Sequence, residues 1–338
     1  MESKTHNLTD LGNRLALLSM EPRVGKMVIW SYLLGCSRSS ASAGVAMSYK
    51  SPFILPPNNM KKVANGSRVA LSRRSESDQI TILHSLRAFE TAERKGSSAA
   101  REFCRKHYLS FPTIKMIRDL KSNTVRELSV SGFVDPNNAG FQNRNDGVSA
   151  ILQAAICAGL YPNVATRQKG DVNFSTMTNK KAKVHISSVN GFRGQALYEK
   201  CQVRKGDMQF IVFGELVKGV RTFTMSQTTH LHSPLPIFLF CGNLHARGSF
   251  QEEGESGDES NSYSILSVDD WISFRCPSIV ASHVVMLRKR LSLLFDKFVR
   301  TTSLKDFDPY ERDLLSTTCS SLVSCFEEYN AKVTSRHK

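Results

Sequence analysis

The sequence has no apolar run long enough to cross a membrane. Its most hydrophobic stretches, such as Pro236 to Cys241, stop far short of the ~20 residues a spanning helix needs. Met1 to Asn7 lacks the basic-then-apolar pattern of a secretory leader, so an intracellular chain, cytoplasmic or nuclear and without a membrane partner, is expected. None of the eight cysteines (Cys36, Cys104, Cys157, Cys201, Cys241, Cys276, Cys319, Cys325) stands in a C-x-x-C pair. That excludes a zinc ribbon or a small disulfide scaffold and predicts packed, reduced thiols.

Self-contained catalytic motifs are missing too. Gly25-Lys26 is followed by Met27, and Met20 stands where the first glycine of a phosphate loop belongs, so the pair reads as a turn and a surface lysine. There is no Asp-Glu-x-His box, no G-x-S-x-G elbow and no H-E-x-x-H pair, so no catalytic residue is assigned. His230 and His232 would share one face of a strand. No carboxylate or cysteine stands at metal spacing beside them, so they read as a surface strand end and no metal ligand is assigned.

What is abundant is positive charge. The 338 residues carry 45 Lys and Arg against 30 Asp and Glu, a net charge of +15 with histidine neutral. Five acids and no base fall between Gln251 and Asn261 (Glu252, Glu253, Glu255, Asp258, Glu259), which leaves about +20 on the remainder. Such a surplus suits a polyanionic partner, nucleic acid or an acidic membrane face; the alternative is charge that serves solubility alone. With 41% hydrophobic residues the chain is globular, and its length predicts two or three domains.

The hydrophobic pattern gives an α+β protein. Leu11, Leu15 and Leu18 recur at helical spacing after Thr9 as a cap, and Pro22 ends that segment; Met27 to Cys36 is a second apolar stretch. Ser37 to Ser42 reads as a serine-rich break, Ser51 to Asn59 as an extended connector because of Pro52, Pro56 and Pro57, and Lys61 to Arg74 as a basic loop. Helices are predicted from Ser77 (Ile80, Leu83, Leu86, Phe89), around Phe103 and Cys104, over Ile114 to Leu128, and over Val148 to Gly159 with Gly159 as C-terminal cap. Gly132 to Gly147 reads as a boundary.

After Pro162 short strands follow: Lys183 to Ser187, Met208 to Leu216, Thr222 to Thr229, Ile237 to Phe240 and Trp271 to Phe274, as in a small barrel or sandwich, with the acidic window as an exposed loop between two of them. A last helix carries the stripe Val280, Val284, Leu287, Leu291, Leu294 and Phe298, with Arg288, Lys289, Arg290, Lys297 and Arg300 on its other faces.

Several segments, in order, resemble the C-terminal region of DEAH-box ATP-dependent RNA helicases. The run Leu8 to Met27 is similar to the junction of their winged-helix and ratchet domains. AMSYKSPF at Ala46 to Phe53, SDQITILHSL at Ser77 to Leu86 and FCRKHYLS at Phe103 to Ser110 resemble ratchet segments. ICAGLYPNVA at Ile156 to Ala165, VHISSVN at Val184 to Asn190 and HSPLPIFLFCG at His232 to Gly242 resemble the entry, first strands and closing strands of the OB-fold. The chain departs from the family at Gln79, where His is usual, at Ile186, where Pro is usual after His185, and at Cys36-Ser37-Arg38-Ser39. These departures bear on the RNA contacts, not on the fold.

The resemblance implies the end of a winged helix (1–30), a helical ratchet-like domain (31–135), an OB-fold-like domain with the acidic loop (136–275) and C-terminal helices (276–338). The family's RecA-like motor, which binds ATP and magnesium, has no counterpart in this sequence. The chain therefore reads as the RNA-binding part of a helicase, a fragment without ATPase activity or cofactor of its own, working with a RecA-like core in cis or in trans. The alternative is a stand-alone RNA-binding adaptor.

Single-stranded or structured RNA, G-quadruplexes included, is the implied partner. The implied phosphate contacts are Arg167, Lys169, Lys180, Lys181 and Lys183, with His185, Ser187, Ser188 and Asn190 as short-range donors, and Lys115, Arg118 and Lys121 on a ratchet helix. The rival readings are a solvated turn for Lys180 to Lys183, a strand-end bond to backbone for Ser187-Ser188, and a solvated helix face for Lys115, Arg118 and Lys121. Binding driven by phosphate should weaken with salt at a log–log slope of ~0.7 per phosphate neutralised on a single strand. A titration of RNA affinity against salt checks this, and salt-insensitive binding would point to a protein-interaction scaffold instead.

Overall fold

Helix α2 (Pro22–Leu34) is buried on almost every side, from Val24 to Leu34 with only Lys26 half-exposed. A helix apolar all round must lie at the centre of its domain. In the computed structural model of the protein, which describes residues 7–133, 139–168, 171–178, 180–191, 208–220, 222–250 and 262–335, that centre is shared with α9 (Ser149–Leu160), buried from Ala150 to Leu160. The two pack through small residues. A Cβ on Gly159 would fall 2.6 Å from Met27 Cα and 2.3 Å from Met27 Cβ, so Gly159 is a close-approach position inside α9 rather than a cap.

Pro22 opens α2 instead of closing α1 (Asp10–Leu15), because the first helical position needs no backbone N–H. Gly25 and Lys26 are likewise not a turn with a surface lysine. Gly25 is buried in α2 against Leu15, and burial lowers the pKa of half-buried Lys26.

The expected serine-rich break is a buried helix, α3 (Ser37–Ser48). Its hydroxyls are small enough for close packing, and its first N–H groups are capped from a distance. Asn143 Oδ1 accepts from Arg38 N at 3.2 Å and Asp146 Oδ1 from Ser39 N at 2.8 Å, while Asp146 also pairs with Arg87 at 2.9 Å. The stretch read as a boundary therefore holds α3 in place. The expected basic loop is α4 (Lys61–Ser72), preceded by a connector that has no regular helix up to Pro57 and then makes one 3-10 turn, Asn58–Met60, where extended chain was expected through Asn59. Its Arg68 is only 5% exposed, lies 4.6 Å over the Phe53 ring and donates to Ser187 O.

The predicted helices appear as α5 (Asp78–Glu93), α6 (Ser97–Lys106) and α7 (Phe111–Val130), with Ser77 and Ser110 as caps, around a core of Leu86, Phe89, Cys104, Ile114 and Ile117. A four-residue α8 (Ala139–Gln142) precedes α9.

Five strands then close a barrel in the order β1-β2-β3-β5-β4: β1 (Val164–Gln168), β2 (Phe174–Thr176), β3 (Lys181–Val184), β4 (Met208–Lys218) and β5 (Phe223–Leu231). Only β3 and β5 pair in parallel. Ala165, Phe174, Ala182, Ile211, Phe213 and Met225 fill its interior. This is an OB-type barrel.

The run expected as a closing strand, Ile237 to Phe240, is instead a buried helix, α10 (Leu235–Phe240). Pro234 and Pro236 offer no N–H to a ladder, and Arg288 stops the helix by donating to Phe238 O, Cys241 O and Gly242 O at 3.2, 3.0 and 2.7 Å. Arg288 is thus half-buried, not part of a solvated basic face. A separate antiparallel sheet of β6 (Leu244–Phe250), β7 (Tyr263–Val268) and β8 (Ile272–Pro277) follows, and then α11 (Ser278–Thr301) and α12 (Pro309–Ser335). The acidic window lies outside the described residues.

Gly159→Ala should destabilise the protein by about 2–3 kcal/mol or more, because the added methyl collides with backbone rather than with a movable side chain. Urea denaturation of wild type and variant measures it.

Candidate nucleic-acid interface

Strand β3 alternates Lys181 and Lys183 outward with Ala182 inward, as the period of two requires. Lys181 Nζ donates to Ser175 Oγ at 2.8 Å, and Lys183 and Lys180 are also exposed, the latter 5.2 Å from the Phe223 ring. These lysines keep their charged ends at the surface on a rigid sheet.

The chain leaving β3 turns sharply. His185 Nδ1 and Ser187 Oγ are 2.6 Å apart, and Ile186 points outward, 61% exposed. Ile186 forms one wall of an open cleft of about 600 Å³ whose other lining residues are Leu55, Pro56, Pro57, Asn58, Lys61 and Asn65. The cleft runs between the proline-rich connector with α4 on one side and the barrel on the other. Its walls are apolar, with Leu55 60% exposed, and its rim carries Lys61 next to Lys62 on α4. Apolar faces flanked by lysines suit a strand whose bases stack and whose phosphates pair.

Other predicted residues are placed differently. Arg167 is buried: it donates to Gln209 Oε1 at 3.0 and 2.7 Å and lies 4.4 Å over the Phe174 ring. Ser188 is buried, its Oγ 2.7 Å from Thr228 Oγ1, and Asn190 Nδ2 donates to Glu76 O at 3.0 Å and to Thr228 Oγ1 at 2.9 Å. These two side chains bond within the protein. On α7, Arg118 pairs with Glu93 and, at 2.7 Å, with Asp119, and Lys121 pairs with Glu90 at 3.2 Å, whereas Lys115 is exposed. Lys169 lies outside the described residues. The structure thus brings Lys180, Lys181, Lys183, His185 and Ser187 together along one path, and it leaves the α7 group on the helical side of the molecule.

The chain just beyond Ile186 is tied to the start of α5. Asp78 is half-buried and accepts from Val189 N through Oδ1 and from Thr228 N through Oδ2, both at 2.8 Å. Burial raises its pKa, against the lowering effect of the bonds from Val189, Ser188 and Thr228 and of the Arg68 charge. Gln79, one of the departures from the family pattern, is buried. Its Nε2 donates to Gln227 O at 2.7 Å and its Oε1 accepts from Thr229 Oγ1 at 2.7 Å, so it faces the barrel.

Sequence reasoning missed Leu55, Asn58, Asn65 and Ile186 as cleft residues. The available signal was an apolar residue beside prolines in a connector that has no core to bury it. The reading of His230 and His232 as a surface strand end was also wrong: both are largely buried, beside Glu76, and the sequence offered no sign of a carboxylate so far upstream.

Comparison with known proteins fits this geometry. The family model Oligonucleotide/oligosaccharide-binding (OB)-fold matches residues 152–244, from α9 to the first residue of β6, and so spans the whole barrel. This domain lies in the C-terminal region of DEAH-box helicases, and the chain is homologous to those helicases over most of its length. The ATP-dependent DNA/RNA helicase DHX36 of Homo sapiens is 28% identical over 334 residues, 96% of this chain and 30% of that protein. The DExH-box ATP-dependent RNA helicase DExH1 of Arabidopsis thaliana is 30% identical over 239 residues, 70% of this chain and 22% of that protein. The ATP-dependent RNA helicase dhx29 of Xenopus laevis is 28% identical over 317 residues, 87% of this chain and 20% of that protein. The chain therefore spans less than a third of the length of these relatives. Among the described residues no helix is long and apolar enough to cross a membrane.

Asp78→Ala should cost about 2–4 kcal/mol, because two buried backbone N–H groups lose their acceptor together. Thermal unfolding would report the loss, and Leu55→Ala, in the exposed connector, should leave the midpoint nearly unchanged.

Proposed function

We propose that this chain is the RNA-binding C-terminal portion of a DEAH-box RNA helicase, which grips a single strand in the cleft between the connector with α4 and the barrel. The observation that carries the reading is the conjunction of an OB-type barrel, matched by its family model, with exposed Lys181 and Lys183 leading directly into an apolar cleft. The names of the relatives, DNA/RNA and RNA helicases, support nucleic acid as the ligand class.

In this reading Lys180, Lys181, Lys183 and Lys61 hold phosphates, His185 and Ser187 donate to riboses or bases, and Leu55, Pro56 and Ile186 offer faces for stacking. Lys115 is a second contact on the helical side, and Arg118 and Lys121 reach RNA only by exchanging their carboxylate partners. Arg167, Ser188 and Asn190 act by holding the barrel and its β3 turn in shape. ATP and magnesium belong to a RecA-like motor in cis or in trans, and this region supplies the fixed surface past which the motor draws the strand.

Lys181→Ala with Lys183→Ala should weaken binding of single-stranded RNA and lower the salt slope by roughly 1.4, two contacts at ~0.7 each. Fluorescence anisotropy at several salt concentrations tests this. A double variant that binds with undiminished slope would remove β3 from the RNA path.

A further inference from the structure

Strand β5 runs into His230-Leu231-His232. The alternation sends Leu231 into the core and both imidazoles to the opposite side. Glu76, in the connector between α4 and α5, meets them there. Its backbone is in the left-handed region, φ 49°, and its carbonyl accepts from His230 N at 2.9 Å, so the main chain holds Glu76 beside the end of β5. Glu76 Oε2 is 3.2 Å from His230 Nδ1 and 3.1 Å from His232 Nε2, and the three donor atoms all lie within 4.8 Å of one another.

The cluster is shielded from bulk water. The side chains of His232, His230 and Glu76 are 2%, 13% and 20% exposed. Helix α12 covers them: Tyr329 stacks on His232 at 4.7 Å and 16°, and Phe326 lies 4.6 Å from the same ring. A pair of histidines simply hydrogen-bonded to a carboxylate accounts for only part of this. His232 Nε2 makes such a bond, whereas His230 Nδ1, buried and 3.2 Å from Glu76 Oε2, is close enough for an ion pair but poorly aligned for a hydrogen bond. Donors around a shared ion aim at the ion and not at each other. His232 Nδ1, across its ring from the carboxylate, is buried without a bond as well, so an ion accounts for one of the two nitrogens.

Tetrahedral zinc, with bonds of about 2.0–2.1 Å, holds its donors roughly 3.3 Å apart. Two of the three separations here already have that size. Two imidazoles and one carboxylate are a donor set for a borderline divalent ion such as zinc or cobalt, and not for calcium or magnesium, which take oxygen.

We propose that Glu76, His230 and His232 form a zinc-class metal site that clips the α4–α5 connector to the end of β5 beneath α12, with water in the fourth position. The ion fastens the helical layer to the barrel next to the Asp78 bonds. It is independent of the RNA reading, since none of its ligands lines the cleft.

The test uses the full 338-residue chain, stripped with a chelator and dialysed. Calorimetric titration with Zn²⁺ should show one equivalent bound with submicromolar affinity and a raised thermal midpoint. Co²⁺ should give the visible d–d bands of a four-coordinate site. Glu76→Gln and His230→Gln should each weaken zinc binding by about 10-fold or more, with unchanged circular dichroism. X-ray absorption of the zinc-loaded wild type should show imidazole scattering and no sulfur shell, which keeps the test decisive if a variant fails to fold. No saturable binding by wild type, a sulfur shell from the cysteines, or full affinity in both folded variants would overturn the proposal.

Discussion

Everything this chain presents to a ligand depends on how the first turn of α5 docks on the edge of β5. Residues Glu76 to Gln79 do this with main chain and side chain together. Ser77 pairs with Thr229 through backbone and, at 2.7 Å, through hydroxyls, while Asp78 and Gln79 bond to Thr228, Gln227 and Thr229. Ser77 Oγ also accepts from Ile80 N as the helix cap, so one residue both starts the helix and joins it to the barrel. A buried polar network of this kind has few alternative arrangements, because each misplaced donor would be left unpaired.

The cleft is a consequence of that joint. Asp78 on α5 fixes Val189, and Arg68 on α4 reaches across to Ser187, so the stretch just after His185 and Ile186 is tied to both helices. The proline-rich connector cannot close the gap, since prolines deny it a regular helix and Phe53 is pinned beneath Arg68. An open, apolar-walled channel therefore remains between two layers that are held rigidly apart. Part of the basic surplus is spent inside the protein, where Arg167, Arg68, Arg144 and Arg288 bond to internal oxygens or lie over rings, while the lysines of β3 and the start of α4 are among those that stay exposed, beside the cleft.

How legible this was varied from element to element for identifiable reasons. Helices α5, α7 and α11 were readable because each has a polar face, and a one-sided apolar stripe shows its period. Helix α3 was not, because its buried side is made of serines whose suitability depends on caps from Asn143 and Asp146 about a hundred positions away. Helix α10 read as a strand because a six-residue apolar run has no period to show, and Arg288 decides its ending. Among candidate site residues, the outward face of Lys183 was readable from strand alternation, whereas Lys181 lay before the expected start of the strand at Lys183. Arg167 and Asn190 were not readable, since a basic or amide side chain looks the same in sequence whether it faces a phosphate or Gln209 and Thr228.

The sequence by itself determined the class of the protein: a helical half and a β half in that order, a basic surface, and the ordered segments shared with the C-terminal region of DEAH-box helicases. Those properties are local, carried by periodicity, composition and short runs. Only the tertiary structure decided which charges stay free, where the cleft lies, and that Glu76 meets His230 and His232. Each of these depends on contacts between residues distant in the chain, whose free energy is set by burial and by pairing that no neighbouring residue announces.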